Sequence, residues 1–321
     1  MELKSNNYIV DGYSENKYTV AVITGAFRSG KTVLGLELAK GKYVDHFEDD
    51  WISMILTISS GLGMIDSAFA KHFLRAYINE KINDSVLLRN ANFRPGDQTS
   101  IWNLNNTEDI FHRLMEVKSR VDVSDFLASN NYLLLLNLPS ILPFVNFLFD
   151  VYPGLKALHV VRNGISVAKE IEAKEWWSDE SLRLRRISTI YKTVKLKGEI
   201  VNFPWWVRDD EEEFFYALDG FSRALYSWVI NLDFNHNNDD NNYQNGYIKN
   251  VRFEDLVGNN LRKTFEEVCI YLSICDQLEI GESVRRLSNI QISVSDSAIL
   301  KKVPYELRKR VIHWLEHYEY I

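Results

Sequence analysis

The sequence predicts an α/β fold: a P-loop-type parallel β-sheet flanked by α-helices, as a single domain over residues 1–321. Three observations carry this. The segment Gly25-Ala-Phe-Arg-Ser-Gly-Lys-Thr32 follows the apolar run Val20-Ala21-Val22-Ile23 directly, giving G-x-x-x-x-G-K-[ST] between a strand and a helix. Strand-like runs stand at 20–24, 132–136, 157–161 and 248–253, each followed by a helical pattern. The chain shows no internal repeat and no interdomain linker, and its 321 residues are 46% hydrophobic, enough for one large core.

The elements follow in order. After the strand at 20–24, the glycines allow a tight turn with exposed N–H groups. A helix then opens at Thr32 or Val33, with Leu34 and Leu38 four apart. Its N–H groups and positive dipole end face a phosphate or sulfate. The stretch His46-Phe-Glu-Asp-Asp-Trp51 reads as a loop after that helix. Residues 131–149 carry no charge and many Leu and Phe, but Pro139 and Pro143 interrupt the run and Asn137, Ser140 and Asn146 break it. They read as a buried strand Tyr132–Leu136, a turn and a helix toward Val151, and not as a membrane span.

The strand at 157–161 ends in Arg162. The Asn/Asp-rich tract 231–246 reads as an exposed loop. After the strand at 248–253, Glu254 and Asp255 read as caps of the following turn and helix. Residues 259–273 place Leu261, Phe265, Val268 and Leu272 on one helical face. In 304–319, Pro304 takes a helix-opening position and Leu307, Val311 and Leu315 form a stripe.

Composition narrows the function. A formal charge of −7 argues against a nucleic-acid surface while permitting a local basic pocket. Cys269 and Cys275 are too few for a disulfide framework or a structural zinc site and fit a reducing compartment. The opening Met-Glu-Leu-Lys-Ser-Asn-Asn has no apolar core of a signal peptide, so a cytoplasmic protein is expected. Nothing in the sequence speaks to oligomeric state.

The loop at 25–32 alone suits a kinase, an ATPase or a GTPase. Those hold Mg²⁺ through an acid at the end of a second apolar strand. Here the run 132–136 ends in Asn137-Leu138-Pro139, and 157–161 ends in Arg162. An arginine at a strand's C-terminal end suits a second phosphate rather than a metal.

With these residues in view, the sequence resembles the sulfotransferases that use 3′-phosphoadenosine-5′-phosphosulfate (PAPS), and looks most like their bacterial carbohydrate-directed branch. Ile23-Thr-Gly-Ala-Phe-Arg-Ser-Gly-Lys-Thr32 is similar to the loop that holds the 5′-phosphosulfate. Tyr152-Pro-Gly-Leu-Lys-Ala-Leu-His-Val-Val-Arg-Asn-Gly164 is similar to the strand and turn that bind the 3′-phosphate. Val251-Arg-Phe-Glu-Asp-Leu256 with the helix ending Tyr271-Leu-Ser-Ile274 resembles the family's late strand-helix unit. Asn92-Phe-Arg-Pro-Gly-Asp97 and Trp176-Trp-Ser-Asp-Glu180 also look familiar from that branch.

The resemblance implies transfer of a sulfuryl group from PAPS to a hydroxyl or amine of a carbohydrate-type acceptor, with no metal. It places Arg28 beside the transferred group, Ser29, Gly30, Lys31 and Thr32 around the 5′-phosphate, and Arg162 on the 3′-phosphate. Backbone N–H groups and cations stabilise the charge that builds on the sulfuryl oxygens.

Three positions depart from the family. Lys31 stands where a small hydroxyl residue is commoner, Glu170 where a serine meets the 3′-phosphate, and Asn137 where some branches carry a histidine base. For Glu170 the alternatives are that it points away, that it pairs with a cation such as Lys169 or Lys174, or that the nucleotide site is altered. For the base, Glu48 is the first choice and Asp49 the second, since a carboxylate beside the incoming hydroxyl can accept its proton. Two other functions stay open: a P-loop kinase or nucleotide phosphohydrolase using Lys31 and Mg²⁺, and a non-catalytic nucleotide-binding relative.

Other candidates read as structure first. His159 reads as a core histidine, and His46 as a site-border or surface residue. Arg89 and Arg94 read as anion contacts or loop salt bridges. Trp176, Trp177, Trp205 and Trp206 read mainly as core or lid packing, and the two cysteines as core.

Overall fold

The computed structural model describes residues 18–48, 50–97, 100–104, 106–187, 189–238, 245–291 and 297–321. Its centre is a five-stranded, all-parallel sheet in the order β2-β3-β1-β4-β7. The strands are β1 (Thr19–Thr24), β2 (Val44–Phe47), β3 (Leu133–Asn137), β4 (Lys156–Val161) and β7 (Ile248–Arg252). Between β4 and β7 in the chain, β5 (Tyr191–Leu196) and β6 (Glu199–Pro204) form a separate antiparallel hairpin.

Helices cover both faces, so the inner strands read as unbroken apolar runs. Alternate residues of β1 feed opposite cores. Val20 and Val22 join Leu134 and Leu136 beneath the helices α2 (Trp51–Gly61) and α3 (Ser67–Val86). Ala21 and Ile23 join Leu133, Leu135, Leu158 and Val160 beneath α1 (Lys31–Leu38) and the helix Leu261–Leu272. A third core gathers the helices Gly164–Glu172, Gly220–Asn238 and Tyr305–His317 around the hairpin. Their approach is close: a Cβ at Gly164 would lie 2.6 Å from the Trp228 ring.

The four expected strands form within a residue or two of their expected positions, and α1 opens at Lys31, one residue early. Pro304 stands at the N-cap of the last helix. Among the described residues, no helix is long and apolar enough to cross a membrane. Cys269 is buried within Leu261–Leu272, and Cys275 is half-buried in the turn beyond.

Four expectations need correction. The stretch 46–51 is not wholly loop, because His46 and Phe47 end β2. That strand is hard to see because it buries a carboxylate. Asp45 accepts hydrogen bonds from Arg113 (2.8 Å), Tyr132 (2.6 Å) and Ser85 (2.5 Å). Burial alone would raise its carboxyl, but Arg113 and these donors hold it below the usual carboxylate value.

The β5–β6 hairpin is an addition to the expected strands. Lys197 and Gly198 both take positive φ, 51° and 91°, as its two-residue turn requires. The tract 231–246 is not all loop, since the helix Gly220–Asn238 continues to 238; residues 239–244 lie outside the described residues. Asn231 and Leu232 are buried there. Asp233 accepts from Trp314 Nε1 (2.7 Å) and Arg310 Nη2 (2.6 Å) on the last helix. These tertiary partners outweigh the weak helix propensity of Asn and Asp.

Glu254 and Asp255 open the helix Phe253–Val257 without capping it. Glu254 instead accepts from the Asn163 N–H (3.0 Å) and the Tyr320 hydroxyl (2.8 Å), tying the end of β4 to the C-terminus.

Candidate anion site

Parallel strands bring their C-terminal ends to one edge, and the loops after β1, β2, β3 and β4 meet there. They enclose a cleft of about 650 Å³ lined by Arg28, Lys31, Thr32, Glu48, Arg162 and Glu170, among others.

The loop after β1 is built for close backbone approach. Gly25 has φ 140°, and a Cβ there would lie 2.2 Å from the Val160 carbonyl oxygen of β4. Gly30, at φ 99°, would strike the Phe253 ring. Glycine is the residue that meets both demands. Arg28 also takes positive φ, 63°. The first N–H groups of α1 have no partner within the helix. Lys31 is buried, and its Nζ donates to the Ala26 carbonyl at 2.6 Å.

Arg162 follows β4. Its guanidinium lies 4.9 Å from the Phe253 ring centre and donates to the Arg28 carbonyl at 3.1 Å. Only 11% of its side chain is exposed. Asn163 beside it caps the helix Gly164–Glu172, accepting from the N–H groups of Ile165 and Ser166.

Glu170, on that helix, settles one of the alternatives. It faces the cleft, and it pairs with neither Lys169 nor Lys174 but with the two arginines themselves. Glu170 Oε1 lies 2.6 Å from Arg162 Nη1, and Oε2 lies 2.7 Å from Arg28 Nη2. The carboxylate bridges the two cations that the resemblance would place on an anion.

Glu48 stands just past β2. Its Oε1 accepts from the Thr32 hydroxyl and from Asn137 Nδ2 (2.8 Å), joining the ends of β2 and β3 to the first turn of α1. Its Oε2 is covered, 3.3 Å from His46 Nε2, with no hydrogen bond between them. Burial lowers the His46 pKa to about 4, so at neutral pH the contact is not an ion pair. Asp49 lies outside the described residues.

Asp50, which the sequence reading does not single out, is buried with both oxygens engaged, by Tyr77 (2.6 Å) and Ser53 (2.7 Å). Burial and the neighbouring Asp50 push the Tyr77 phenol above its ordinary value. Trp51, 37% exposed, flanks the cleft and is likewise absent from the sequence candidates. Its position directly after two acids is the available signal.

No protein-family model and no curated protein matches the sequence. Among solved structures, the chain is similar to the sulfotransferase domain of the Synechococcus PCC 7002 olefin synthase, at 15% identity and a TM-score of 0.44. That likeness covers 94% of this chain and 95% of the other. It is similar to a sulfotransferase from Alicyclobacillus acidocaldarius at 12% identity and TM-score 0.43, covering 95% and 96% of the two chains. A sulfotransferase from Mycobacterium avium gives 12% identity and TM-score 0.45, covering 94% of this chain and 76% of the other. At these values the likenesses bear on neither substrate nor mechanism.

The remaining sequence candidates fall mainly outside the cleft. His159 is buried in β4, its Nδ1 2.9 Å from Asn250 Oδ1. Its pKa is lowered to about 4 by burial, against the Asn250 bond and with help from the Lys31 charge. Trp177 and Trp206 are core, edge to face at 5.2 Å. Trp205 stacks on Phe234 at 6.2 Å, and Trp176 lines the cleft against Phe27. Arg89 lies 3.8 Å from Asp84, and neither Arg89 nor Arg94 lines the cleft.

Proposed function

We propose that the chain is a sulfotransferase that moves a sulfuryl group from PAPS to a hydroxyl or amine of a carbohydrate-type acceptor. The observation that carries this reading is one cleft joining a strand-loop-helix anion cradle, a second cation at the end of β4, and a carboxylate at the end of β2. Ser29, Gly30, Lys31 and Thr32 would hold the 5′-phosphate and Arg28 the sulfuryl oxygens. Arg162 would hold the 3′-phosphate once Glu170 gives way.

In the reaction, the acceptor oxygen or nitrogen attacks sulfur. The bond from sulfur to the 5′-phosphate oxygen breaks, and the acceptor's proton passes to Glu48. Oε1 of Glu48 is held by Thr32 and Asn137, so the carboxylate must turn to present Oε2. Arg28 and the loop amides stabilise charge on the sulfuryl and leaving oxygens.

A second reading has its own observation. The Thr32 hydroxyl meets the Glu48 carboxylate, and a hydroxyl with an acid beside a phosphate loop suits Mg²⁺ and a nucleoside triphosphate. Isothermal titration with 3′-phosphoadenosine-5′-phosphate separates the two. Metal-free binding that is lost in Arg28→Ala and Arg162→Ala supports the sulfotransferase, whereas binding of ATP alone, dependent on Mg²⁺, overturns it. Tight bisphosphate binding with no sulfate transfer to any of a panel of sugars and amines would point to a non-catalytic relative.

A further inference from the structure

The anion site already holds a carboxylate. Glu170 makes three close contacts with guanidinium nitrogens: 2.6 Å to Arg162 Nη1, 2.7 Å to Arg28 Nη2 and 2.8 Å to Arg28 Nε. The three residues come from three elements, the loop after β1, the end of β4 and the helix Gly164–Glu172. Arg162 has other supports, in the Phe253 ring and the Arg28 carbonyl. The Glu170 side chain is 31% exposed and Arg28 40%. Glu170 neutralises the nearly buried Arg162, whose side chain is 11% exposed, but the exposed Arg28 needs no such partner, so neutralisation does not account for the whole bridge. What the geometry does explain is competition, because two guanidiniums spaced to grip one carboxylate are also spaced to grip an oxyanion of a ligand.

We propose that Glu170 is a specificity-determining residue that acts as a built-in competing anion. It occupies the seat between Arg28 and Arg162 until a ligand brings its own anionic group there. A ligand with one anionic group settles on the loop and leaves Glu170 in place. A ligand with two anionic groups exchanges the carboxylate for its second group, and its affinity is reduced by the cost of that exchange. The proposal rests on the sulfotransferase reading only for the identity of the nucleotide.

The sign of the effect separates this role from a structural one. If Glu170 merely positioned the arginines, removing it would weaken anion binding, whereas removing a competitor strengthens it. The test is isothermal titration of the full chain, as wild type, Glu170→Gln and Glu170→Ala, with AMP, 3′-phosphoadenosine-5′-phosphate and inorganic pyrophosphate. Both variants are expected to bind the bisphosphate nucleotide about tenfold more tightly, with AMP changing less than about threefold. Their melting temperatures should also rise on adding pyrophosphate by more than the wild type's does. Unchanged or weaker bisphosphate binding in both variants overturns the proposal. If no form binds an adenine nucleotide, the sulfotransferase reading falls separately. Pyrophosphate then decides alone: tighter binding in the variants sustains the competing anion, and equal or weaker binding ends it.

Discussion

Glu48 has one oxygen fixed by Thr32 and Asn137 and the other covered beside a neutral imidazole. Replacing it with Gln keeps the shape but removes the proton acceptor and turns an NH₂ toward donors. Under the proposed function, Glu48→Gln should lower kcat by about a hundredfold or more with nucleotide affinity nearly unchanged, read from sulfate-transfer kinetics beside titration. A parallel loss of nucleotide binding would assign Glu48 to the loop's structure instead. Gly25 poses a purely steric question. Its φ of 140°, and the Val160 carbonyl oxygen 2.2 Å from where a Cβ would sit, leave no room for a side chain. Gly25→Ala should therefore destabilise the fold by about 2–4 kcal/mol and abolish anion binding, as urea melts and titration would show. The Gly25-to-Thr32 loop and Arg162 were legible in the sequence because their signal is local: residue type, spacing and an adjoining strand. Glu170 was visible as an oddity, but its bridge to Arg28 and Arg162 was not, since it joins residues 142 and 8 positions apart that only the folded sheet brings together.

At the scale of elements, β1, β3 and β4 announced themselves because strands covered on both faces are mostly Val, Ile, Leu and Ala, while the edge strand β7 fully buries only Ile248 and Val251 and showed by the helical pattern after it. The edge strand β2 did not, because it carries Asp45 and His46 inward, and a buried acid cannot be anticipated without its partner. That partner, Arg113, comes from the helix Thr107–Glu116 and also pairs with Asp109 at 2.6 Å. The same rule explains the helix Gly220–Asn238, whose polar end is held by Arg310 and Trp314 from the far end of the chain. Since β2 carries the chain to Glu48, its anchor bears on the site. Arg113→Met removes one side of a buried network and leaves two carboxylates without their cation, at an expected cost of about 3–5 kcal/mol. Urea unfolding of the variant measures it. A loss under about 1 kcal/mol would mean that β2 is held by its ladder to β3 and not by this network.

Across the whole molecule, the buried titratable groups set how the fold responds to acid. His46 on β2 and His159 on β4 lie on opposite sides of the sheet's centre, and burial lowers the pKa of each to about 4. Folded, both are neutral at pH 5, while an unfolded histidine, with a pKa near ~6.5, is mostly protonated there. The unfolded chain thus binds more protons between about pH 6.5 and 4, so stability falls as the pH drops through that window. From pH 7 to pH 5 the loss should be about 2 kcal/mol for each histidine. Asp45, held below its ordinary value, adds a further loss at lower pH, and Asp109, pushed up by burial against the pull of Arg113, offsets part of it. Urea midpoints measured at pH 7, 6 and 5 should therefore fall steadily, and His159→Gln should remove about half of that slope while lowering stability at pH 7. A midpoint flat from pH 7 to 5 would mean that these imidazoles titrate normally in the folded protein. With both imidazoles neutral, the cations lining the candidate cleft are Arg28, Lys31, Arg162 and Arg186, so anion affinity between pH 7 and 6 should follow the ligand's own ionisation and not that of His46 or His159.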